Sequence, residues 1–112
     1  MWEEGAVKNI ETTDAALEVV KSGKPSVIAV YAPWCQFCQG MEEEYSKLAS
    51  EMEGTMDVFK FRGDEVWDFV QAELNTKSFP TINVVKADGS VVKYESEERD
   101  VASIKAFVES QM

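Results

Sequence analysis

The sequence lacks histidine altogether and holds only two cysteines among its 112 residues. Histidine is the usual general base near neutral pH, so its absence excludes a serine or cysteine hydrolase triad. A zinc site takes about four ligands, mostly cysteine or histidine, and two cysteines cannot supply them. We therefore expect no metal and no bound cofactor in this chain.

Basic residues are also scarce, because 11 lysines and arginines stand against 21 acidic residues and leave a net charge of -10. Binding to nucleic acid needs clustered positive charge, so no nucleic acid partner is expected. The longest apolar run, Val27–Ala32, is far short of the roughly 20 residues that span a membrane. The acidic N-terminus has neither a signal-peptide nor a transit-peptide pattern. The length predicts a single domain over residues 1–112. The shortness of the apolar runs predicts no membrane partner.

Apolar periodicity and turn residues divide the chain into nine elements. The predicted strands are Val7–Ile10, Ser26–Ala32, Met56–Arg62, Pro80–Val85 and Val91–Tyr94. The predicted helices run between Thr12 and Gly23, from Cys35 to Met52, over Glu65–Leu74 and onward from the cap Asp100. This order, β-α-β-α-β-α-β-β-α, predicts an α/β fold with a mixed central sheet and helices on both faces.

Two cysteines, Cys35 and Cys38, follow the apolar strand Ser26–Ala32 and open the second helix. Free backbone N–H groups and the positive end of the helix dipole favour a thiolate at this position. Cys38 lies three residues further on and can attack a mixed disulfide formed at Cys35. A purely structural disulfide across so short a loop would stabilise the fold little. The pattern therefore predicts a catalytic dithiol, Cys35 and Cys38.

A proline at the start of the fourth strand leaves two interpretations open. Either the Phe79–Pro80 bond is cis and aims backbone groups at the dithiol, or Pro80 only trims an edge strand. The order of the elements favours the cis bond. The residues predicted to contact a substrate are Trp34, Gln36, Phe37, Phe79, Pro80 and Thr81.

Three further features are given structural interpretations. Trp67 is predicted to pack in the core or to be half-buried. Arg62, at the end of the third strand, could reach a thiolate, but a solvated surface arginine is the favoured interpretation. The acidic run Glu42–Glu44 is predicted to be the solvated side of the second helix.

Motifs along nearly the whole chain resemble the thioredoxin superfamily, which implies a thioredoxin-like three-layer fold. Tyr31–Cys35 (YAPWC), Phe79–Thr81 (FPT) and Ala87–Gly89 (ADG) fall where that superfamily places its motifs. The chain is still more similar to the C-terminal domain of plant-type 5′-adenylylsulfate (APS) reductase. The segments that carry this second resemblance are Tyr31–Glu42 (YAPWCQFCQGME), Phe59–Asp64 (FKFRGD) and Lys93–Val101 (KYESEERDV).

The resemblance to APS reductase implies a glutaredoxin-like electron-delivery domain of a chloroplast enzyme in sulfate assimilation and cysteine biosynthesis. Its implied partners are glutathione, as electron donor, and an S-sulfocysteine or disulfide on a reductase domain. By position, Cys35 would attack and Cys38 would resolve, so that sulfite is released. Glutathione would contact Phe79, Pro80, Thr81 and Arg99. The iron–sulfur cluster of such an enzyme would belong to an N-terminal domain outside this chain.

Two residues depart from these families. Gln36 stands where proline usually follows the first cysteine. Ala29 stands where thioredoxins carry a buried acid that assists proton removal from the second cysteine. The missing acid disfavours the alternative of a stand-alone thioredoxin or protein disulfide isomerase-type domain, although such domains share the Ala-Pro-Trp-Cys run. An interaction module without chemistry is disfavoured because both cysteines are present.

Overall fold

A computed structural model describes residues 7–96 and 98–111. The N-terminal Met-Trp-Glu-Glu-Gly stretch and the middle of the Lys93–Val101 motif lie outside these described residues. The strands are β1 (Lys8–Ile10), β2 (Ser26–Tyr31), β3 (Asp57–Arg62), β4 (Thr81–Val85) and β5 (Val91–Lys93). The helices are α1 (Thr13–Lys21), α2 (Gln36–Glu51), α3 (Trp67–Glu73) and α4 (Val101–Ser110). The predicted order of elements is confirmed, with bounds that shift by one or two residues.

Side-chain caps fix where two of the helices begin. The Thr12 hydroxyl accepts a hydrogen bond from the Ala15 N–H at 3.0 Å, and α1 starts one residue after this cap. The Asp100 carboxylate accepts from the Ser103 N–H at 3.0 Å and caps α4. Each cap supplies a partner to an N–H group that the first helical turn leaves without one.

The sheet has the strand order β1-β3-β2-β4-β5, with β2 at its centre. The pairs β1–β3 and β2–β3 are parallel, whereas β2–β4 and β4–β5 are antiparallel. The β-branched run of β2 suits a central strand, and Ser26 to Val30 are all buried. Gly89, at φ 90°, takes the left-handed conformation in the turn between β4 and β5.

Alternate residues of the central strands point to two hydrophobic clusters on opposite faces of the sheet. The first cluster takes its helical residues from α2 and α4, and the second from α1 and α3. The three-layer α/β fold predicted above is thereby confirmed. Phe79 packs against both clusters, because it lies in the loop before β4 at the edge between the two faces. No helix in the described part of the chain is long and apolar enough to cross a membrane.

The prediction of a solvated acidic face on α2 holds for Glu43, whose side chain is 83% exposed, but is wrong for Glu44. Glu44 Oε1 accepts a hydrogen bond from the backbone N–H of Val101 at 3.2 Å. This bond joins α2 to the first turn of α4, 57 residues away in the chain. Local periodicity does not contain this contact, because it depends on how two helices pack.

Candidate active site

The predicted dithiol lies at the N-terminus of α2. Cys35 is the N-cap residue, and its Sγ accepts a hydrogen bond from the Cys38 backbone N–H at 3.2 Å. Both cysteines are free thiols, with exposures of 5% for Cys35 and 0% for Cys38. The more accessible residue of the pair is therefore Cys35, and Cys38 is completely buried next to it.

Burial raises the pKa of the Cys38 thiol well above its ordinary value, and a hydrogen bond with Cys35 adds to the rise. The positive charge of Arg99 acts in the opposite direction but has the smallest effect of the causes that contribute. Cys38 is thus a neutral thiol at physiological pH. A resolving attack by Cys38 needs its proton to leave first, because the thiolate is the nucleophile.

The loop before β4 faces the dithiol. The Cys35 thiol donates to the backbone carbonyl oxygen of Phe79, with the sulfur and oxygen 3.5 Å apart. The Phe79–Pro80 peptide bond is cis, which confirms the favoured interpretation. Pro80 and Thr81 are buried, and the Thr81 hydroxyl donates to the Ser78 carbonyl at 2.7 Å. In the same loop, Lys77 and Ser78 are exposed and Phe79 is half-buried.

Exposed aromatic rings flank the dithiol on the side of the Trp-Cys-x-x-Cys turn. Trp34 is 66% exposed and Phe37 is 71% exposed, and Gln36 is exposed between them. Trp34 contacts Phe79 edge to face, with ring centroids 5.9 Å apart. Its Nε1 donates to Asp64 Oδ2 at 3.3 Å, which fixes the orientation of the indole. Three predicted contact residues thus lie on the surface around Cys35.

Trp67 lies next to the site and fits the half-buried alternative of the sequence prediction, not the core one. It is 37% exposed and packs edge to face on Phe79, with ring centroids 5.4 Å apart. A signal was present, since Trp67 lies outside the inward stripe formed by Val66, Phe69 and Val70. Trp67 is therefore a surface aromatic next to the site instead of a core residue.

Gly63 lies beneath the Phe79 ring and was not predicted to matter. A Cβ built on Gly63 would lie 2.5 Å from Val30 Cγ1 and 3.1 Å from Phe79 Cε1. No larger residue fits unless the neighbouring side chains move. Glycine at this position lets the Phe79 ring pack close to the sheet.

Arg62 is a surface arginine, as the favoured interpretation predicted. Its Nε donates to Asp64 Oδ1 at 2.8 Å, and its side chain remains 45% exposed. The guanidinium lowers the pKa of the Asp64 carboxyl below its ordinary value, so Asp64 is an anion at neutral pH. Arg62 is thus ion-paired with Asp64.

The position that holds a buried acid in thioredoxins is apolar in this chain. Ala29 is completely buried, and the neighbouring Tyr45 hydroxyl donates to the Phe59 carbonyl oxygen. Burial raises the pKa of Tyr45, so this phenol is neutral as well. Within residues 7–96 and 98–111, no group of three or more cysteine or acidic side chains could hold a metal ion.

Arg99 precedes the cap of α4 and so lies on the same face of the sheet as α2 and the dithiol. It is half-buried, and it has no ion pair in the part of the chain that the structure describes. Its charge acts on Cys38, as described above. A half-buried cation without a carboxylate partner can receive an anion from outside the chain.

Comparisons with known proteins agree with this geometry. The family model described as Thioredoxin matches residues 6–110. The chain is 44% identical over 88 residues to 5'-adenylylsulfate reductase 1, chloroplastic, of Arabidopsis thaliana, which covers 76% of this chain and 19% of the relative. It is 43% identical over 99 residues to the probable 5'-adenylylsulfate reductase 1, chloroplastic, of Oryza sativa subsp. japonica, with coverage of 84% and 21%. The chain thus spans about a fifth of the length of these relatives.

More distant relatives include protein disulfide isomerases. The protein disulfide-isomerase of Zea mays is 31% identical over 78 residues, which cover 70% of this chain and 15% of the relative. The first thioredoxin domain of mouse protein disulfide-isomerase A4 superimposes with a TM-score of 0.81 at 25% identity, covering 96% of this chain and 76% of that one. Chloroplastic thioredoxin z superimposes with a TM-score of 0.74 at 24% identity, covering 93% and 92%. The chain therefore belongs to the thioredoxin family, as a thiol–disulfide oxidoreductase domain similar to part of the chloroplastic 5'-adenylylsulfate reductases.

Proposed function

We propose that this chain is the glutathione-dependent electron-delivery domain of a plastid APS reductase, with Cys35 and Cys38 as its catalytic residues. The observation that carries the proposal is the identity of 43% to 45% with chloroplastic 5'-adenylylsulfate reductases, against 31% with a plant disulfide isomerase. Glutathione, as donor, and an S-sulfocysteine on a reductase domain, as acceptor, are the proposed substrates.

In the proposed reaction, the Cys35 thiolate attacks the cysteine sulfur of the S-sulfocysteine, and the S–S bond to the sulfonate breaks. Sulfite leaves, and a mixed disulfide joins Cys35 to the reductase domain. Cys38 loses its proton to solvent and attacks the Cys35 sulfur, so that the reductase cysteine leaves as a thiol. Glutathione then reduces the Cys35–Cys38 disulfide in two successive exchanges and is itself oxidised to its disulfide.

The geometry at Cys35 supports its role as the attacking sulfur. The Cys38 N–H points at the Cys35 Sγ and favours a negative charge on it. The Phe79 carbonyl, on the other side of the sulfur, is a backbone group beside which a substrate can align. Exposed Trp34, Gln36 and Phe37, together with the loop from Phe79 to Thr81, form the proposed contact surface.

Arg99 is the proposed anchor for a carboxylate of glutathione. It is half-buried beside the dithiol, and the described residues give it no anionic partner. In a chain with a net charge of -10, an anionic donor needs one local positive group to approach. Replacement of Arg99 by methionine is expected to raise the KM for glutathione and to leave attack on a neutral small disulfide unchanged.

The second candidate is a stand-alone thioredoxin or protein disulfide isomerase-type domain. The Ala-Pro-Trp-Cys run and the similarity to disulfide isomerases favour it. Buried Ala29 argues against it, because no carboxylate stands at the position from which thioredoxins assist the second thiol.

One assay separates the two candidates. The purified chain is supplied with a small mixed disulfide and either glutathione with glutathione reductase or thioredoxin reductase, and NADPH consumption is followed. We expect turnover with glutathione and little with thioredoxin reductase. The opposite pattern would establish the second candidate. Cys35→Ser is the control and abolishes both signals.

A further inference from the structure

A cleft beside Cys35 extends the proposed contact surface from Trp34 and Phe79 to Trp67. It is lined by Trp34, Asp64, Trp67, Ser78 and Phe79. Its volume is about 460 Å³. We call it the two-tryptophan cleft.

The cleft is adjacent to the reactive sulfur. Both indoles pack edge to face on Phe79, at centroid distances of 5.9 Å for Trp34 and 5.4 Å for Trp67. The backbone carbonyl of the same Phe79 lies 3.5 Å from Cys35 Sγ. A side chain next to the reacting sulfur of a polypeptide is therefore close enough to enter the two-tryptophan cleft.

The charge around the cleft is negative. Asp64 is anionic and lies in the cleft wall, where it holds the Trp34 Nε1. Glu65 and Asp68 are exposed in the same stretch of chain. The three carboxylates outnumber the two nearby cations, which are Arg62, paired with Asp64 and Glu65, and Lys77, next to Ser78. The whole chain adds to this field with its net charge of -10.

Two exposed indoles inside a surface of net negative charge form a site for a cation. Tryptophan is the strongest of the aromatic residues in cation–π contacts, and a nearby carboxylate adds direct attraction. Glutathione does not match the cleft, because its carboxylates outnumber its ammonium group. Its proposed anchor, Arg99, also lies at the other face of the sheet. The cleft thus fits the polypeptide substrate.

We propose that the two-tryptophan cleft receives a lysine or arginine side chain next to the reactive sulfur of a polypeptide partner, and that Trp67 determines this specificity. The inference rests on the thiol–disulfide exchange of the proposed function. It names the chemistry of the polypeptide partner and does not depend on glutathione as the donor.

The test uses the reduced chain and a set of short peptides. Each peptide carries one cysteine in a mixed disulfide with thionitrobenzoate and differs only in the residue beside that cysteine: arginine, norleucine or glutamate. Attack by Cys35 and then Cys38 oxidises the dithiol to its disulfide and reduces the substrate, which releases peptide thiol and coloured thionitrobenzoate. The rate at limiting peptide gives kcat/KM for each.

For the wild-type chain we expect the arginine peptide to react about fivefold faster than the norleucine peptide, as a partly exposed cation–π contact predicts. The glutamate peptide is expected to be the slowest. Added salt should reduce the preference for arginine, because the carboxylate contribution is screened.

The variants separate charge from apolar contact. Trp67→Phe keeps an aromatic face and most of the preference, whereas Trp67→Leu keeps the apolar volume and loses the preference. Asp64→Asn retains an acceptor for the Trp34 Nε1 but lowers the preference for arginine. Asp88→Asn, in the turn between β4 and β5, removes an equal charge away from the cleft and is the matched control.

A norleucine peptide that reacts as fast as the arginine peptide, or a Trp67→Leu chain that still prefers arginine, would overturn the inference. Turnover of a neutral small disulfide should be the same for Trp67→Leu and the wild type, which shows that the fold and the dithiol are intact. If the glutathione assay fails while the preference for arginine persists, only the proposed glutathione donor is wrong.

Discussion

The Cys35 thiol meets the carbonyl oxygen of Phe79, 44 residues away in the chain, at 3.5 Å. This contact brings the N-terminus of α2 against the loop before β4, and it joins the two segments that carry the chemistry. Because Phe79 also packs under Trp34 and Trp67, one residue connects the reactive sulfur to the aromatic surface beside it.

The burial of Cys38 predicts a slow second step that speeds up with pH. Cys38→Ser should trap the mixed disulfide at Cys35, whereas Cys35→Ser should form none. In the wild type, the thiolate fraction of Cys38 rises about tenfold for each pH unit below its raised pKa. In rapid-mixing experiments between pH 7 and 9, the mixed disulfide forms first and is then resolved by Cys38. The rate of this second step should rise by the same factor. A resolving rate independent of pH would show that another group takes the proton.

Tyr45 predicts a loss of stability in alkali. Its pKa is raised in the folded chain, so the unfolded chain releases this proton first, and stability falls as the pH rises above the ordinary value of 10.0. Tyr45→Phe removes the hydrogen bond to Phe59 and should cost about 1 kcal/mol at pH 7. The same variant should lose less stability than the wild type between pH 10 and 11 (urea unfolding at both values measures it). Parallel losses in the two chains would contradict this account.

Gly63 and Gly40 predict opposite effects of alanine. Gly63→Ala drives a methyl group into Val30 and the Phe79 ring, and should destabilise the fold by about 1–3 kcal/mol. Gly40→Ala, on the exposed side of α2 with no atom within 4 Å of the new Cβ, should stabilise by up to about 1 kcal/mol. Thermal unfolding of both variants provides the comparison. A neutral Gly63→Ala would mean that the Phe79 ring moves freely.

The contact between Glu44 and Val101 predicts that α4 depends on α2. Glu44→Ala removes the acceptor of the Val101 N–H and should cost about 1 kcal/mol, whereas Glu44→Gln keeps an acceptor and most of the stability. Glu43→Ala is the matched control, since Glu43 also contacts Lys47 but caps nothing. Its effect should be close to zero. Equal losses for the two alanine variants would show that the bond to Val101 contributes nothing.

Local patterns were sufficient to predict the order of the elements and the position of the dithiol. The run of β2, the spacing of Cys35 and Cys38 and the turn at Gly89 each act within a few residues, so the sequence displays them directly. Met41 and Tyr45 lie four residues apart on α2, a spacing that predicts one buried face, and both are buried.

The parts that were missed depend on contacts between distant segments. The role of Glu44 requires the packing of α2 against α4, and that of Gly63 requires the Phe79 ring to lie above it. Trp67 was predicted to lie in the core or to be half-buried, and the sequence alone did not decide between the two. Its contact with the Phe79 ring joins α3 to the loop before β4, and this contact between distant segments decides its position.

The complete burial of Cys38 behind Cys35 has a consequence for oxidative damage. A peroxide that reaches the pair meets Cys35 first and converts it to a sulfenic acid. Cys38 is the nearest thiol, three residues along the same helix start, and condenses with that sulfenic acid to give a disulfide and water. Further oxygenation to sulfinic or sulfonic acid is thereby intercepted, so the arrangement converts an irreversible injury into a form that a thiol donor can repair.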